Sequence, residues 1–311
     1  MSSPAPVIFQ NANSGSRDAE ALRERVIRGM RDRGVEPEMS VRIEGESLHG
    51  AVVAAAARAA RRGAPLVAIG GDGTVNLVAR AALEQGLTLG LIPAGTYNFV
   101  ARAHGVPESL GEALDLLVQG SARPIRVARL NERRFLVNAS IGLYARLLSD
   151  REIYSRRLGR RRLVATLAAA VSALRTHRPL GLLIRHQGHE HRTEATTFIV
   201  GNNPLQLELV GVRDVPADGA AELAALLLHP VGRATLLAMI ARGHRGEVDT
   251  TRELESFLFE SMDIDVPQRR ARRISVAIDG EIVRETLPLS VSVEPRPLRM
   301  LRPPRADERG R

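Results

Sequence analysis

An apolar run, Leu66-Val67-Ala68-Ile69, passes directly into Gly70-Gly71-Asp72-Gly73-Thr74-Val75-Asn76. The run suits one buried strand, and helical spacing holds from Val75 to Glu84, so three glycines must turn a strand into a helix within a few residues. Without a Cβ, glycine lets successive backbone N–H groups close on an anion. The helix that follows turns its positive end to the same point. A carboxylate in the middle of such a turn would repel a phosphate, so Asp72 implies a magnesium ion or an acceptor hydroxyl beside it. Thr74 can cap the helix or donate to phosphate. A plain strand-to-helix turn explains these residues less well than a seat for a nucleotide phosphate.

The same logic recurs along the first third of the chain. Pro6–Gln10, Met39–Ile43, Pro65–Ile69 and Leu87–Pro93 read as strands. Arg17–Arg33, Ser47–Arg62 and Val75–Glu84 read as helices, with another helix after Asn98. This alternation predicts an α/β N-terminal domain with a Rossmann-like parallel sheet covered on both faces. Three polar loops then fall at the carboxyl ends of strands, where open α/β sheets take ligands. They are Asn11-Ala12-Asn13-Ser14-Gly15-Ser16, residues 70–74, and Ala94-Gly95-Thr96-Tyr97-Asn98. The bland reading of the third is a helix cap by Thr96 or Asn98.

From about residue 122 the texture becomes mostly β. Pro124–Leu130 and Arg134–Ala139 suit paired strands turning at Asn131-Glu132. Leu180–His186 and His191–Val200 suit a hairpin turning at Gln187-Gly188. Ala221–His229, Leu254–Val266, Arg273–Ile278 and Leu289–Val293 are further strands, with helices at about 142–177 and 231–242. The expected division is therefore 1–122 for the α/β domain, 123–290 for a mostly β domain, and a frayed, charged tail at 304–311.

Composition excludes several chemistries. All 44 basic residues are arginine, because the sequence contains no lysine. A Walker-type P-loop, a protein-kinase strand lysine and a Schiff base are therefore ruled out, and phosphate must be met by backbone N–H groups, hydroxyls, arginine or metal. With no cysteine, disulfides and thiolate metal sites are excluded too. Met1–Pro6 has neither a basic nor an apolar signal region, and Leu163–Leu174 is too short to span a bilayer, so a cytoplasmic location is expected. The net charge is +9, but aromatic residues make up only 3% and no nucleic-acid motif occurs, so nucleic acid is not an expected partner. Arg151–Arg162 holds six arginines ahead of that apolar stretch. It reads either as a basic start to a core helix or as a contact with the inner membrane face.

Nearer the C-terminus, Ser275–Val283 alternates like a strand around Asp279-Gly280, a hairpin signal, and Glu281 just past the turn could offer a carboxylate to a cleft. Asp214–Gly219 reads as a surface turn or a hard-cation site. His186, His189 and His191 cluster at a hairpin tip, where a solvated turn is the simpler reading than a metal site.

Taken together, these residues resemble the diacylglycerol kinase catalytic-domain family, which includes bacterial lipid kinases, sphingosine kinases and ceramide kinases. Asn11-Ala12-Asn13-Ser14-Gly15 looks like its first nucleotide loop, and Gly70–Asn76 matches its signature. Gly95-Thr96-Tyr97-Asn98, with Ala101-Arg102 and Gly105-Val106-Pro107, looks like its second signature, and Asp279-Gly280-Glu281 follows in the family's order. The resemblance implies an NAD kinase/diacylglycerol kinase-like α/β domain, a sandwich-like β domain, and a return of residues 291–303 to the first domain. It implies ATP- and Mg²⁺-dependent phosphorylation of a lipid hydroxyl in the cleft between the domains. Asn11, Asn13, Ser14, Gly15, Gly70, Gly71, Asp72, Gly73, Thr74, Val75, Asn76, Gly95, Thr96 and Asn98 would bind ATP. Glu281 would be the general base, with Asp72 and Asp279 also catalytic, and Val215, Asp218 and Ala220 would hold a structural magnesium. A homodimer is left open. Phe99 and Arg126 depart from the pattern, since many members carry acidic residues there. They favour the alternative of a catalytically weak nucleotide-binding or lipid-sensing protein on the same fold.

Overall fold

The computed structural model describes residues 4–11, 17–42, 45–148, 178–202, 222–232 and 254–304. Two compact units divide the chain: Met1–Arg126 with Pro295–Arg311, and Val127–Glu294. No helix among the described residues is long and apolar enough to cross a membrane.

The first unit is built on a sheet whose central strands are buried on both faces, as expected when helices cover a parallel sheet. Strands β1 (Val7–Gln10), β2 (Glu38–Val41), β3 (Leu66–Gly70) and β4 (Thr88–Pro93) alternate with helices α1 (Arg17–Arg31), α2 (Leu48–Arg62) and α3 (Asp72–Gln85). Helices α4 (Phe99–Ala103) and α5 (Leu110–Gln119) and strand β5 (Ser121–Ile125) follow. The sheet order is β2-β1-β3-β4-β18-β5, where β18 is Leu298–Arg302. All neighbours are parallel except β18 and β5. Val26 and Met30 of α1 and Leu114 of α5 pack with Ile8, Val67 and Ile69 on one face, and α2 packs against α3. Local chemistry sets the helix ends. Ser47 accepts the Gly50 N–H at the start of α2, and Gly63 (φ 61°) and Gly86 (φ 66°) end α2 and α3 in the left-handed conformation.

This strand order carries a functional consequence. The chain leaves β1 toward β2 on one side, then crosses to β3 on the other. The carboxyl ends of β1 and β3 therefore flank a topological switch point, where the connecting loops part and leave a crevice.

The second unit is a sandwich of two six-stranded antiparallel sheets, ordered β10-β9-β14-β17-β6-β7 and β13-β12-β11-β8-β15-β16. In chain order the strands are β6 (Ala128–Leu130), β7 (Arg133–Phe135), β8 (Asn138–Gly142), β9 (Leu180–His186), β10 (His189–Ala195), β11 (Thr197–Gly201), β12 (Leu223–Leu228), β13 (Leu254–Phe259), β14 (Ser261–Asp265), β15 (Arg273–Ile278), β16 (Glu281–Thr286) and β17 (Leu289–Val293). Their inward residues form one core, in which Phe135, Ile184 and Ile264 of one sheet pack with Phe198, Phe259 and Val276 of the other.

Several runs that read as single strands are two. Leu254–Val266 breaks at Glu260 into β13 and β14, which lie in different sheets. His191–Val200 divides into β10 and β11 the same way, and Arg134–Ala139 into β7 and β8. Pro124–Leu130 divides between β5 of the first unit and β6 of the second. A chain that changes sheets keeps its alternating pattern, so periodicity gives no sign of the change. The turns at Asn131 (φ 50°) and at Gln187-Gly188 (φ 50° and 80°) fall where expected. The helices expected at about 142–177 and 231–242 lie largely outside the described residues; only 143–148 are described as helical.

Strand β18 lies inside the first unit's sheet, parallel to β4 and antiparallel to β5, with Met300 fully buried. Met300→Ala is expected to lower stability by about 2–4 kcal/mol, read as a lower denaturant midpoint for the first unit.

Candidate functional site

The glycine turn and its neighbouring loop meet backbone to backbone. A Cβ added at Gly95 would lie 2.4 Å from the Gly71 Cα, and one added at Gly71 would lie 3.1 Å from the Gly95 Cα. No side chain fits between them, so the two loops form one surface. The Ala94 N–H donates to the Gly70 carbonyl at 3.0 Å, continuing the β3–β4 pairing into the loops. At Gly70 a Cβ would run into the Thr74 side chain at 2.9 Å. Around Gly73 there is open space and the residue is exposed, so its backbone faces solvent at the start of α3.

Helix α3 begins earlier than its apolar spacing implies. It starts at Asp72, with Gly71 as its cap, because the spacing cannot register polar and glycine residues in a first turn. Asp72, Gly73 and Thr74 therefore occupy that first turn, where the helix dipole and free N–H groups favour an anion.

Asp72 is half-buried, and its Oδ1 accepts the Val100 N–H at 3.4 Å, at the start of α4. Burial pushes its carboxyl above the usual carboxylate range, against the lowering effect of backbone N–H groups of residues 98–100. Phe99, in that same turn, stacks on the exposed ring of Tyr97 with centroids 5.5 Å apart and planes 8° from parallel. Among the described residues no group of three or more His, Asp or Glu side chains could hold a metal. A magnesium ion needs no such group: it commonly takes one or two carboxylates, with phosphate oxygens and water completing its shell. Asp72 fits that requirement.

Asn98 works on its own loop. Its side chain accepts the Gly95 N–H at 2.9 Å and donates to the Gly95 carbonyl at 3.1 Å, while its backbone sits at φ 49°. Thr96 is exposed at the tip. Asn11 lies just past β1, on the same sheet edge. In the helix, Val75 and Asn76 are buried, and both amide atoms of Asn76 lack a partner. Arg126 is buried at the end of the first unit. Asn13, Ser14, Gly15, Val215, Asp218, Ala220 and Arg151–Arg162 lie outside the described residues.

In the second unit, Asp279 and Gly280 (φ 49° and 85°) form the tight turn between β15 and β16. The Asp279 carboxylate accepts the N–H groups of Leu136, Val137 and Asn138 at 3.0, 2.9 and 3.1 Å. It binds the β7–β8 connection to the hairpin, so its observed work is to position backbone. Glu281 begins β16 and is exposed. Of the three clustered histidines, His186 stacks on Phe257 with centroids 5.0 Å apart. Arg42 follows β2 directly, and its N–H donates to the Gln10 carbonyl at 3.4 Å.

Comparison with known proteins agrees with this architecture. Residues 5–130 match the model of the diacylglycerol kinase catalytic domain. Residues 142–302 match that of the YegS C-terminal NAD kinase beta sandwich-like domain. A probable lipid kinase YegS of Salmonella heidelberg (strain SL476) is 36% identical over 144 residues, which is 45% of this chain and 46% of that protein. A probable lipid kinase YegS-like protein of Klebsiella pneumoniae (strain 342) is 42% identical over 79 residues, 25% of this chain and 27% of that protein. The chain thus spans less than half the length of these curated relatives. The crystal structure of a diacylglycerol kinase from Bacillus anthracis str. Sterne has a TM-score of 0.66 at 18% identity, covering 96% of this chain and 97% of that one. A second chain from that strain gives 0.70 at 20% identity. At such identities the likeness is one of fold.

Two predictions follow from the contacts in the first unit. Gly95→Ala must push the Gly71 backbone aside and is expected to cost about 1–3 kcal/mol or more, whereas Gly73→Ala, in open space on a helix, should not destabilise. Urea unfolding of the two variants measures the contrast. Asp72→Asn keeps an acceptor for Val100 and removes a half-buried charge. Because the folded-state carboxyl is raised, its ionisation costs stability at neutral pH and not below the carboxylate range. The variant should therefore melt slightly above wild type at pH 7, by up to about 2 °C. That gain should vanish as pH falls through the carboxylate range, which melting curves across pH would register.

Proposed function

Because this chain belongs to the diacylglycerol kinase catalytic-domain family, in its form with an NAD kinase-like β-sandwich, we propose that it transfers the γ-phosphoryl group of ATP to the hydroxyl of a lipid. The observation that carries this reading is the fused pair of loops at Gly71 and Gly95. They present unhindered backbone and a helix start beside the switch point of a parallel sheet. Such a surface receives a polyphosphate without lysine, which the sequence lacks.

Phosphoryl transfer depends mainly on alignment and charge neutralisation. The first turn of α3 and the Gly70–Thr74 backbone hold the phosphates, and Thr74 adds a hydroxyl. Asp72 is the residue that would hold a magnesium ion, whose charge offsets that of the phosphates. Glu281, exposed at the head of β16, is assigned as the base that takes the acceptor's proton. Asp279 supports it by fixing the turn from which it projects. The names of the relatives, probable lipid kinases, support a lipid as acceptor.

A second reading, a nucleotide-binding protein of weak activity, is favoured by Phe99. Its ring is stacked on Tyr97 where many family members have an acidic side chain. One experiment separates the two. Purified protein is incubated with labelled ATP, Mg²⁺ and a total lipid extract, beside Asp72→Ala and Glu281→Ala. Label should enter lipid with wild type and fall by at least about a hundredfold in both variants. ATP binding with no labelled lipid would select the weak-activity reading.

A further inference from the structure

The sheet β10-β9-β14-β17-β6-β7 of the second unit carries a cavity of about 660 Å³ on its outer face. Strand register builds its floor. Arg129 of β6 lies opposite Ser292 of β17, and Ser292 lies opposite Ser261 of β14. Residues paired in register share a face, and the alternate positions Leu130, Val291 and Met262 belong to the core. The three polar side chains therefore form one row across three strands, and all three line the cavity. The next row, Ser290, Asp263, Arg185 and Glu190, satisfies itself. There the Ser290 hydroxyl donates to Asp263, and Arg185 pairs with Glu190 at 2.9 Å. The first row does not. Among the described residues the Arg129 guanidinium has no ion pair or hydrogen bond, and neither the Ser292 nor the Ser261 hydroxyl is engaged.

The charge of Arg129 is also poorly placed for a protein on its own. On its other side Arg129 lies opposite Arg134 of β7, and like charges directly opposite one another destabilise a sheet. Glu294 pairs with Arg134 at 2.8 Å, which leaves Arg129, half-buried, uncompensated. Both carboxylates in the cavity, Asp263 and Glu190, are already taken. The surplus positive charge calls for an anion. A carboxylate offers two oxygens, whereas a phosphate monoester offers three to one guanidinium and two hydroxyls on strands about 5 Å apart. The cavity is larger than a phosphate group, so it has room for what the ester carries.

We propose that this cavity binds a phosphate monoester, with Arg129 neutralising it and Ser292 and Ser261 donating to its oxygens. The site lies within the second unit and does not rest on the kinase reading. A soluble ester and a lipid headgroup share this chemistry, and the test separates them. Wild type, Arg129→Met and Ser292→Ala are titrated calorimetrically, as full chains, with glycerol 3-phosphate. The same proteins are floated with phosphatidylcholine vesicles that contain phosphatidic acid, a monoester, or phosphatidylglycerol, a diester. Arg129→Met keeps an apolar stem and removes the charge facing Arg134, so it should fold as stably as wild type. It should weaken monoester binding about tenfold, and Ser292→Ala about threefold. Binding of glycerol 3-phosphate identifies a soluble ester as sufficient; binding of phosphatidic acid vesicles alone identifies the lipid. No binding of either overturns the proposal. Binding that Arg129→Met leaves intact overturns it too, and assigns the phosphate to the glycine loops. Equal flotation with phosphatidylglycerol, unchanged by the variant, likewise overturns the lipid arm in favour of the chain's general positive charge.

Discussion

Everything proposed for the first unit depends on a contact between two backbones, at Gly71 and Gly95. Neither residue contributes a functional group. Their importance is steric: with no Cβ on either side, the loops after β3 and β4 lie against each other, and their N–H groups belong to one surface. The parallel pairing of β3 and β4 brings the loops level, and Asn98 folds back on Gly95 to keep the second from sagging. Neither loop carries an arginine, and the sequence has no lysine, so in the proposed reading a phosphate there meets backbone. This contact fixes where that backbone lies.

Two aspartates use their carboxylates on backbone N–H groups, with different results. Asp279 receives three of them and ties a hairpin to the β7–β8 connection. Asp72 has a long contact to Val100 and is left half-buried with a raised carboxyl. The first is held at 2.9–3.1 Å and acts as a brace; at the second the N–H groups around it do not offset the cost of burial. Identical side chains beside glycines thus differ by how closely the surrounding N–H groups approach them and by what burial costs.

Much of the first unit was legible in the sequence, because buried parallel strands and amphipathic helices leave long, unambiguous patterns. The glycine signature and its sister loop were legible for the same reason: glycine is informative where only glycine fits. Other features left no local trace. The break at Glu260 between two sheets is invisible to an alternating pattern that continues through it. The start of α3 at Asp72 was hidden because a first turn need not be apolar. Asp279's bonds join residues far apart in sequence, so its hairpin role could be read but not its brace.

The position of β18 governs the order in which the molecule can be completed. Its five residues come after the whole second unit in the chain, yet they separate β4 from β5 in the first unit's sheet. On the ribosome, β1 to β5 emerge early but lack the strand that joins β5 to the rest. The sandwich, continuous in sequence, can close while the first unit waits with an open edge on β4. Completion of the first unit is thus coupled to synthesis of β18, and a nascent chain stalled before Leu298 would carry both glycine loops on an unfinished sheet.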